Sequence, residues 1–202
     1  MVITKRKIRW FTETDISIAR DEELLRLMRE SGCAQVLIGL ESPTAASLQG
    51  LETRNNWKAH QQAGYRDAIR QIQGHGISVN GCFILGLDDH DHTIFDRVYD
   101  FVEESGLHEV QITIQTPFPG TPLYDRLREE GRIVEDGAWN RCTLFDINYQ
   151  PRAMSMDELS RGFKELTARL YSDACTRRRR TSFRKQLRKS VHDRSEGKPV
   201  IQ

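Results

Sequence analysis

The chain has 202 residues, of which 38% are hydrophobic and 29% charged, with a formal net charge of +1 and a mean hydropathy of −0.60. That length buries one sizeable core. No apolar run approaches the roughly 20 residues a membrane helix needs, and Met1 to Lys7 is basic without the apolar centre of a secretory signal, so a cytoplasmic protein is expected. Cys33, Cys82, Cys142 and Cys175 lie far apart with no CxxC or CxxxCxxC spacing, which offers neither a zinc nor an iron–sulfur site and favours isolated buried thiols. The near-neutral total hides an asymmetry: residues 177–202 hold ten Lys/Arg against two acids, and residues 1–176 hold 20 against 27, a basic tail of net +8 on an acidic body of net −7.

In chain order the body alternates strand and helix. Lys7 to Thr14 alternates Ile8, Trp10 and Thr12 with Arg9, Phe11 and Glu13, which predicts a strand. Asp21 is placed to cap a helix whose Leu24, Leu25 and Met28 share a face and which Gly32 ends. Gln35 to Leu40 is the next strand, breaking into Glu41-Ser42-Pro43. Ala45 to Gly64 has mixed character and reads as loop plus a partial helix; Tyr65 to Gln73 is a clearer one. Ile77 to Leu85, short, apolar and partly β-branched, reads as a strand buried on both faces, as in a parallel sheet. It stops at Gly86, and Asp88, Asp89, His90, Asp91 and His92 fall in the following loop, where α/β folds place ligands.

Beyond that turn, Ile94, Phe95, Val98, Phe101 and Val102 form a helical stripe closed by Gly106. In Glu109 to Gln115, Val110, Ile112 and Ile114 alternate with Gln111, Thr113 and Gln115, and a polar row on a strand flanked by helices implies a wet or ligand-filled interior, as in a barrel lumen. Thr121 and Pro122 start a helix that ends at Gly131. Ser155-Met156-Asp157-Glu158 has the capping-box form ahead of a closing helix with Leu159, Phe163, Leu166 and Leu170.

Two readings stand for the acidic turn. Asp88, Asp89 and Asp91 serve either as ligand-facing groups or as solvated charges favoured by a helix dipole. His90 and His92 permit weak metal binding, but without converging third and fourth ligands a surface loop is the simpler reading, and no metal site is assigned. Gly81, Gly86 and Gly120 are explained equally by the backbone needs of tight turns.

Four segments carry a family resemblance in register: Thr14-Asp15-Ile16-Ser17-Ile18, Ile38-Gly39-Leu40-Glu41-Ser42-Pro43, Gly81-Cys82-Phe83-Ile84-Leu85-Gly86-Leu87-Asp88, and Thr116-Pro117-Phe118-Pro119-Gly120-Thr121-Pro122-Leu123-Tyr124. Over roughly Ile8 to Leu170 the chain resembles the later strands of radical S-adenosylmethionine (SAM) enzymes, in the branch usually fused to a cobalamin-binding domain. The resemblance implies an α/β fold: an incomplete parallel (β/α) barrel of the TIM-barrel-like radical SAM type with a helical C-terminal extension. It divides into residues 1–135 as the partial barrel, 136–176 as a loop and closing helix, and 177–202 as the basic tail. It further implies that Glu41 and Ser42 contact the SAM ribose or methionine part, that Gly81, Ile84, Gly86 and Asp89 belong to the adenine-binding strand end, and that Gln115 faces the cofactor.

One departure bears on activity. The family's chemistry requires three cysteines in CxxxCxxC holding a 4Fe–4S cluster, and the sequence has no such motif. The resemblance therefore implies the C-terminal part of a radical SAM enzyme, with SAM, a cluster bound elsewhere and cobalamin as cofactors, and an isolated chain that is inactive. The substrate would be a small or lipid-like molecule. The missing half as a separate chain is one expected partner, and weak contact of the tail with anionic membranes is another; nucleic acid ranks last. The competing class is a non-catalytic assembly module that pairs with a cluster-bearing partner, and an unrelated metal-independent barrel enzyme comes third. Lys7 to Thr14, without the neighbour it has in a full barrel, is expected to promote association.

Overall fold

The computed structural model describes residues 8–51 and 55–195, with side chains to residue 189. Four strands, β1 (Trp10–Thr14), β2 (Cys33–Glu41), β3 (Ser78–Leu85) and β4 (Glu109–Ile114), form one sheet in sequence order, every pair parallel. Parallel neighbours need crossovers, and the segments between the strands supply them: α1 (Glu22–Glu30), then α2 (Ala45–Leu48), α3 (Trp57–Gln61) and α4 (Tyr65–Gly74), then α5 (Ile94–Ser105). After β4 come α6 (Pro122–Glu129), α7 (Met156–Leu170) and α8 (Asp173–Ser195). Among the described residues no helix is long and apolar enough to cross a membrane.

Side-chain alternation divides the sheet into two unlike faces. Val36, Ile38 and Leu40 of β2, Val79, Phe83 and Leu85 of β3, and Val110, Ile112 and Ile114 of β4 are buried in one core with Leu25, Ile69, Ile72, Val98, Phe101, Leu127, Leu159 and Leu166 of the helices. The opposite face is open. Its cross-strand rows are Glu13, Leu37, Asn80 and Glu109, then Gly39, Cys82 and Gln111, then Ile84 and Thr113. β3 is thus buried on one face only, against the expectation of two: Asn80, Cys82 and Ile84 remain half-buried because no layer covers them. The polar row of β4 lies on this open face, as an incomplete barrel requires.

The helix starts follow local chemistry. Asp21 accepts the Leu24 amide at 2.8 Å, and Thr121 accepts that of Tyr124 at 3.3 Å ahead of Pro122. Ser155 and Glu158 close a reciprocal capping box. Gly106 ends α5 at φ 68°. The strand expected over Lys7 to Thr14 begins at Trp10; Lys7 lies outside the described residues. In the 45–64 stretch, where a loop plus a partial helix is expected, the described residues form α2, α3 and a 3-10 turn at Gln62–Gly64, with a left-handed Asn56 just ahead of α3.

The two sheet edges differ. The outer edge of β4 has bonding partners, since Tyr171 Oη donates to the Val110 carbonyl at 3.0 Å and the Ile114 amide donates to the Leu144 carbonyl at 2.7 Å. β1, the other edge, carries a Phe11 that is 69% exposed. α8 lies beneath the starts of β3 and β4: Phe183 packs on the His108 ring at 4.6 Å, Gln186 reaches the Arg70 carbonyl at 2.7 Å, and Leu187 lies against Gly76. The opposite, C-terminal ends of the strands stay clear of it.

Candidate active site at the C-terminal edge of the sheet

β2 ends in a distortion. Pairing with β3 shifts between Gly39 and Glu41, and Glu41 takes φ 62°, a left-handed conformation unusual for a residue with a side chain. The effect is to fold the Glu41 carboxylate back over Gly39 on the open face: a Cβ on Gly39 would lie 2.4 Å from Glu41 Oε1 and 3.3 Å from Lys58 Nζ. Lys58, from α3, forms a half-buried ion pair with that carboxylate. Gly39 therefore makes room for an acid and its counter-ion on the sheet surface.

Cys82 is the register partner of Gly39 and lies on the same face. Burial, then the charges of Glu41 and Glu13, push its thiol up to about 11 against a smaller opposing effect of Lys58, so it stays protonated at neutral pH.

Ser42 turns the other way and is fully buried. Its hydroxyl lies 3.3 Å from His90 Nε2 and 3.2 Å from Thr44 Oγ1; Thr44 Oγ1 is 2.6 Å from Ser47 Oγ, which donates to Asp89 Oδ2 at 2.9 Å. The loop after β2 is thereby bonded to the loop after β3. This corrects the surface-loop reading of His90: it is 2% exposed, and its Nδ1 accepts the Leu87 amide at 3.3 Å. Burial pulls its pKa down to about 4, against the opposing charges of Asp89 and Asp91, so the ring is neutral and both nitrogens are engaged. It is not a free metal ligand.

Asp88 is not a solvated loop charge either. It pairs with Arg126 at 2.5 Å and Arg132 at 2.8 Å. Burial raises its pKa, but the two guanidinium groups outweigh that and hold the carboxyl below its usual range.

Six of the seven residues expected at the site therefore lie along one edge. Glu41, Ser42, Ile84, Gly86 and Asp89 lie at or just past the C-terminal ends of β2 and β3, and Gln115 joins them through its backbone N–H, which donates to the Leu85 carbonyl at 2.8 Å. Gly81 does not belong with them. It sits mid-strand on the helix side, where a Cβ would lie 2.9 Å from Leu40 and Leu107, so it is a packing glycine. Gly86 turns at φ 86° directly against Tyr149, a residue with no signal in the sequence, since its segment lacks periodicity. Lys58 was equally hidden, in the patternless stretch before α4.

Two implied cofactors fare differently against these residues. Gln115 is 6% exposed and its Oε1 has no partner among the described residues, a buried acceptor at the strand ends that suits the donor groups of an adenosine or amino-acid ligand. Together with the Glu41 carboxylate it fits SAM. An iron–sulfur cluster does not fit: among the described residues no three His, Cys, Asp or Glu side chains converge, and all four cysteines stand free and apart.

Known proteins agree with this architecture. A family model described as a domain of unknown function, DUF4070, matches residues 121–201. The chain is 24% identical over 177 residues to the bacteriochlorophyllide d C-12(1)-methyltransferase of Chlorobaculum tepidum, covering 88% of this chain and 37% of that one. It is 30% identical over 159 residues to the hopanoid C-2 methylase of Rhodopseudomonas palustris, covering 79% and 28%. With the anaerobic magnesium-protoporphyrin IX monomethyl ester cyclase of Cereibacter sphaeroides it shares 28% identity over 166 residues, 82% of this chain and 26% of that one. The chain thus spans between 26% and 37% of the length of these relatives. In fold it resembles the Elp3 protein of Methanocaldococcus infernus with TM-score 0.57 and 15% identity, over 80% of this chain and 33% of that one. With its open four-stranded parallel sheet and these relatives, the chain resembles part of a radical SAM enzyme, in the branch usually fused to a cobalamin-binding domain.

Proposed function

We propose that the open face and C-terminal edge of this sheet are one side of the SAM and substrate site of an enzyme that cleaves SAM reductively and modifies an unactivated carbon, by methyl transfer or a related change, with cobalamin as a further cofactor. The observation that carries this is the face itself: an acid and its counter-ion folded over Gly39, the unpartnered Gln115 side-chain carbonyl at the end of β4, and Phe11, Leu37 and Ile84 as apolar groups on the same face. A mixed surface of this kind suits a polar cofactor beside a largely apolar substrate, and the relatives named for a bacteriochlorophyllide and a hopanoid support a lipid-like or similarly apolar substrate. A reduced 4Fe–4S cluster supplies the electron for SAM cleavage when bound, and on this reading it is held by residues outside these 202. The role of this chain's own groups is narrower. Glu41 and Gln115 orient SAM by hydrogen bonds, Lys58 holds the Glu41 carboxylate in place through their ion pair, and the apolar residues exclude water from the reacting carbon.

The test is calorimetric titration of SAM into the whole chain and into Glu41→Gln, with anaerobic iron–sulfur reconstitution and a 5′-deoxyadenosine assay run alongside. Weak SAM binding that the variant reduces at least fivefold, with no 5′-deoxyadenosine from the chain alone, is the expected result. Isotherms that do not differ would remove Glu41 from the site, and 5′-deoxyadenosine from the chain alone would overturn the placement of the cluster elsewhere.

A second reading, a non-catalytic module that docks on a cluster-bearing partner, is favoured by the β1 edge, where Ile8 and Phe11 are 71% and 69% exposed. Absence of SAM binding by the chain, together with SAM cleavage by a reconstituted pair, would favour that one.

A further inference from the structure

Two loops carry the strand-end residues, and two contacts join them, the His90 imidazole to Ser42 and Ser47 to Asp89. Leu87 N–H donates to His90 Nδ1, so the proton of the neutral ring is on Nε2, and Nε2–H donates to Ser42 Oγ. Ser42 Oγ also accepts the Thr44 amide at 3.3 Å, which leaves its own hydrogen for Thr44 Oγ1; Thr44 then donates to Ser47, and Ser47 to Asp89. Each hydroxyl has one proton to give and gives it onward, and the series ends on a carboxylate that only accepts. Reversing any link would leave a donor facing a donor.

This one-way order has a positional consequence. Ser42 follows Glu41 directly, and Glu41 holds a left-handed backbone conformation that needs its neighbours fixed. At the other end, Leu87 and Asp89 fix the turn that follows Gly86. We propose that His90 is a positioning residue for the strand-end site: as the Nε2–H tautomer it holds Ser42, and with it the Glu41 carboxylate, at a set distance from the Leu87–Asp89 turn, so that SAM meets both loops in register. The role assigned to SAM rests on the function proposed above; the tether itself does not. With both ring nitrogens engaged, His90 makes no contact with a reacting atom and acts only through Ser42.

Two substitutions separate its two bonds. His90→Gln puts an amide nitrogen near the position of Nε2 and keeps the donor to Ser42, while His90→Asn puts an amide oxygen near Nδ1 and keeps only the acceptor for Leu87. SAM titration into the whole chain is expected to show His90→Gln within about threefold of wild type and His90→Asn weakened about tenfold, the loss of one buried hydrogen bond, although both variants melt within a few degrees of each other. Equal affinities in the two variants, or affinities that merely follow the melting temperatures, overturn the proposal. If the wild-type chain takes up no SAM, the function reading falls and the tether is judged by amide hydrogen exchange over Ser42 to Ser47: faster exchange in His90→Asn than in His90→Gln upholds it, and equal rates overturn it. Nitrogen NMR of the wild-type ring at pH 7 needs no variant at all. The Nε2–H tautomer is expected, and an Nδ1–H tautomer or an imidazolium overturns the donor order.

Discussion

The Tyr149 hydroxyl donates to the Gly86 carbonyl at 2.7 Å, at the point where β3 gives way to the acidic turn. Tyr149 is fully buried, and burial pushes its phenol pKa up, so the group remains a donor at any working pH. A Cβ on Gly86 would lie 2.1 Å from that hydroxyl and 2.8 Å from Leu159, and φ 86° is strained for any other residue. Tyr149→Phe is therefore expected to cost about 1–2 kcal/mol by denaturant unfolding, the value of one buried hydrogen bond. Gly86→Ala is expected to cost about 3 kcal/mol or more. Combining them should recover part of the Gly86→Ala loss, because removing the hydroxyl relieves the closest clash and leaves the backbone strain; a fully additive double variant would contradict this geometry.

The contact between Gly86 and Tyr149 also marks the limit of what could be read in advance. The four strands were legible because runs such as Val36 to Leu40 and Val79 to Leu85 are apolar or β-branched and end in glycine or polar clusters. The helix starts at Asp21, Thr121 and Ser155 were legible because capping is local chemistry. Tyr149, Lys58 and the burial of His90 were not, because each depends on a contact across dozens of residues from a segment with no period of its own. His90 misleads for a further reason. Acids on both sides make it look solvated, whereas Ser42 and the Leu87 amide satisfy both ring nitrogens and allow the loop to fold inward.

That burial gives a pH dependence with a definite sign. The folded-state pKa of His90 is about 4, below the unfolded value near 6.5, with burial lowering it and the Asp89 and Asp91 charges opposing. The unfolded chain thus binds the extra proton first as pH falls. Stability from this group is complete above about pH 6.5 and is lost progressively towards pH 4, amounting to about 2 kcal/mol between pH 7 and pH 5. Asp88, whose pKa is lowered by its two arginines, acts the same way only below the normal carboxylate range, so the two windows separate. Denaturant unfolding at pH 7 and pH 5 should show the drop in wild type and lose most of it in His90→Gln.

Cys82 offers a chemical readout of the open face. With its thiol raised to about 11 by burial, Glu41 and Glu13, only about one molecule in a thousand carries the thiolate at pH 8. Labelling with iodoacetamide at pH 8, followed by peptide mass analysis, should find Cys82 modified slowly, with a rate that climbs steeply above pH 10. Glu41→Gln removes a repelling charge and releases Lys58 to act on the thiol, so it should speed labelling several-fold. An unchanged rate would mean that Glu41 and Cys82 do not share the face.

Charge suggests that the basic helix is held to the acidic body by ion pairs, but the contacts assign most of the energy to packing. Arg178 pairs with Glu103 at 2.9 Å and Arg180 with Glu109 at 3.5 Å, and both arginine side chains are about half exposed. Exposed pairs of this kind contribute about 0–1 kcal/mol each and weaken with salt. Phe183 against His108, Leu187 against Gly76, and Gln186 bonded to the Arg70 carbonyl and to Gln73 are insensitive to salt, as is the buried Arg179, which donates to the Leu170 carbonyl at 2.7 Å. Trypsin, which cuts after the basic residues from Arg177 to Lys189, reports how often α8 lifts away. Cleavage there is expected to proceed at nearly the same rate in 0.05 M and 1 M sodium chloride, measured relative to a reference peptide substrate, on the order of tenfold faster in Phe183→Ala at both concentrations. Strong acceleration by salt in the wild-type chain, with no effect of Phe183→Ala, would assign the docking of α8 to charge instead.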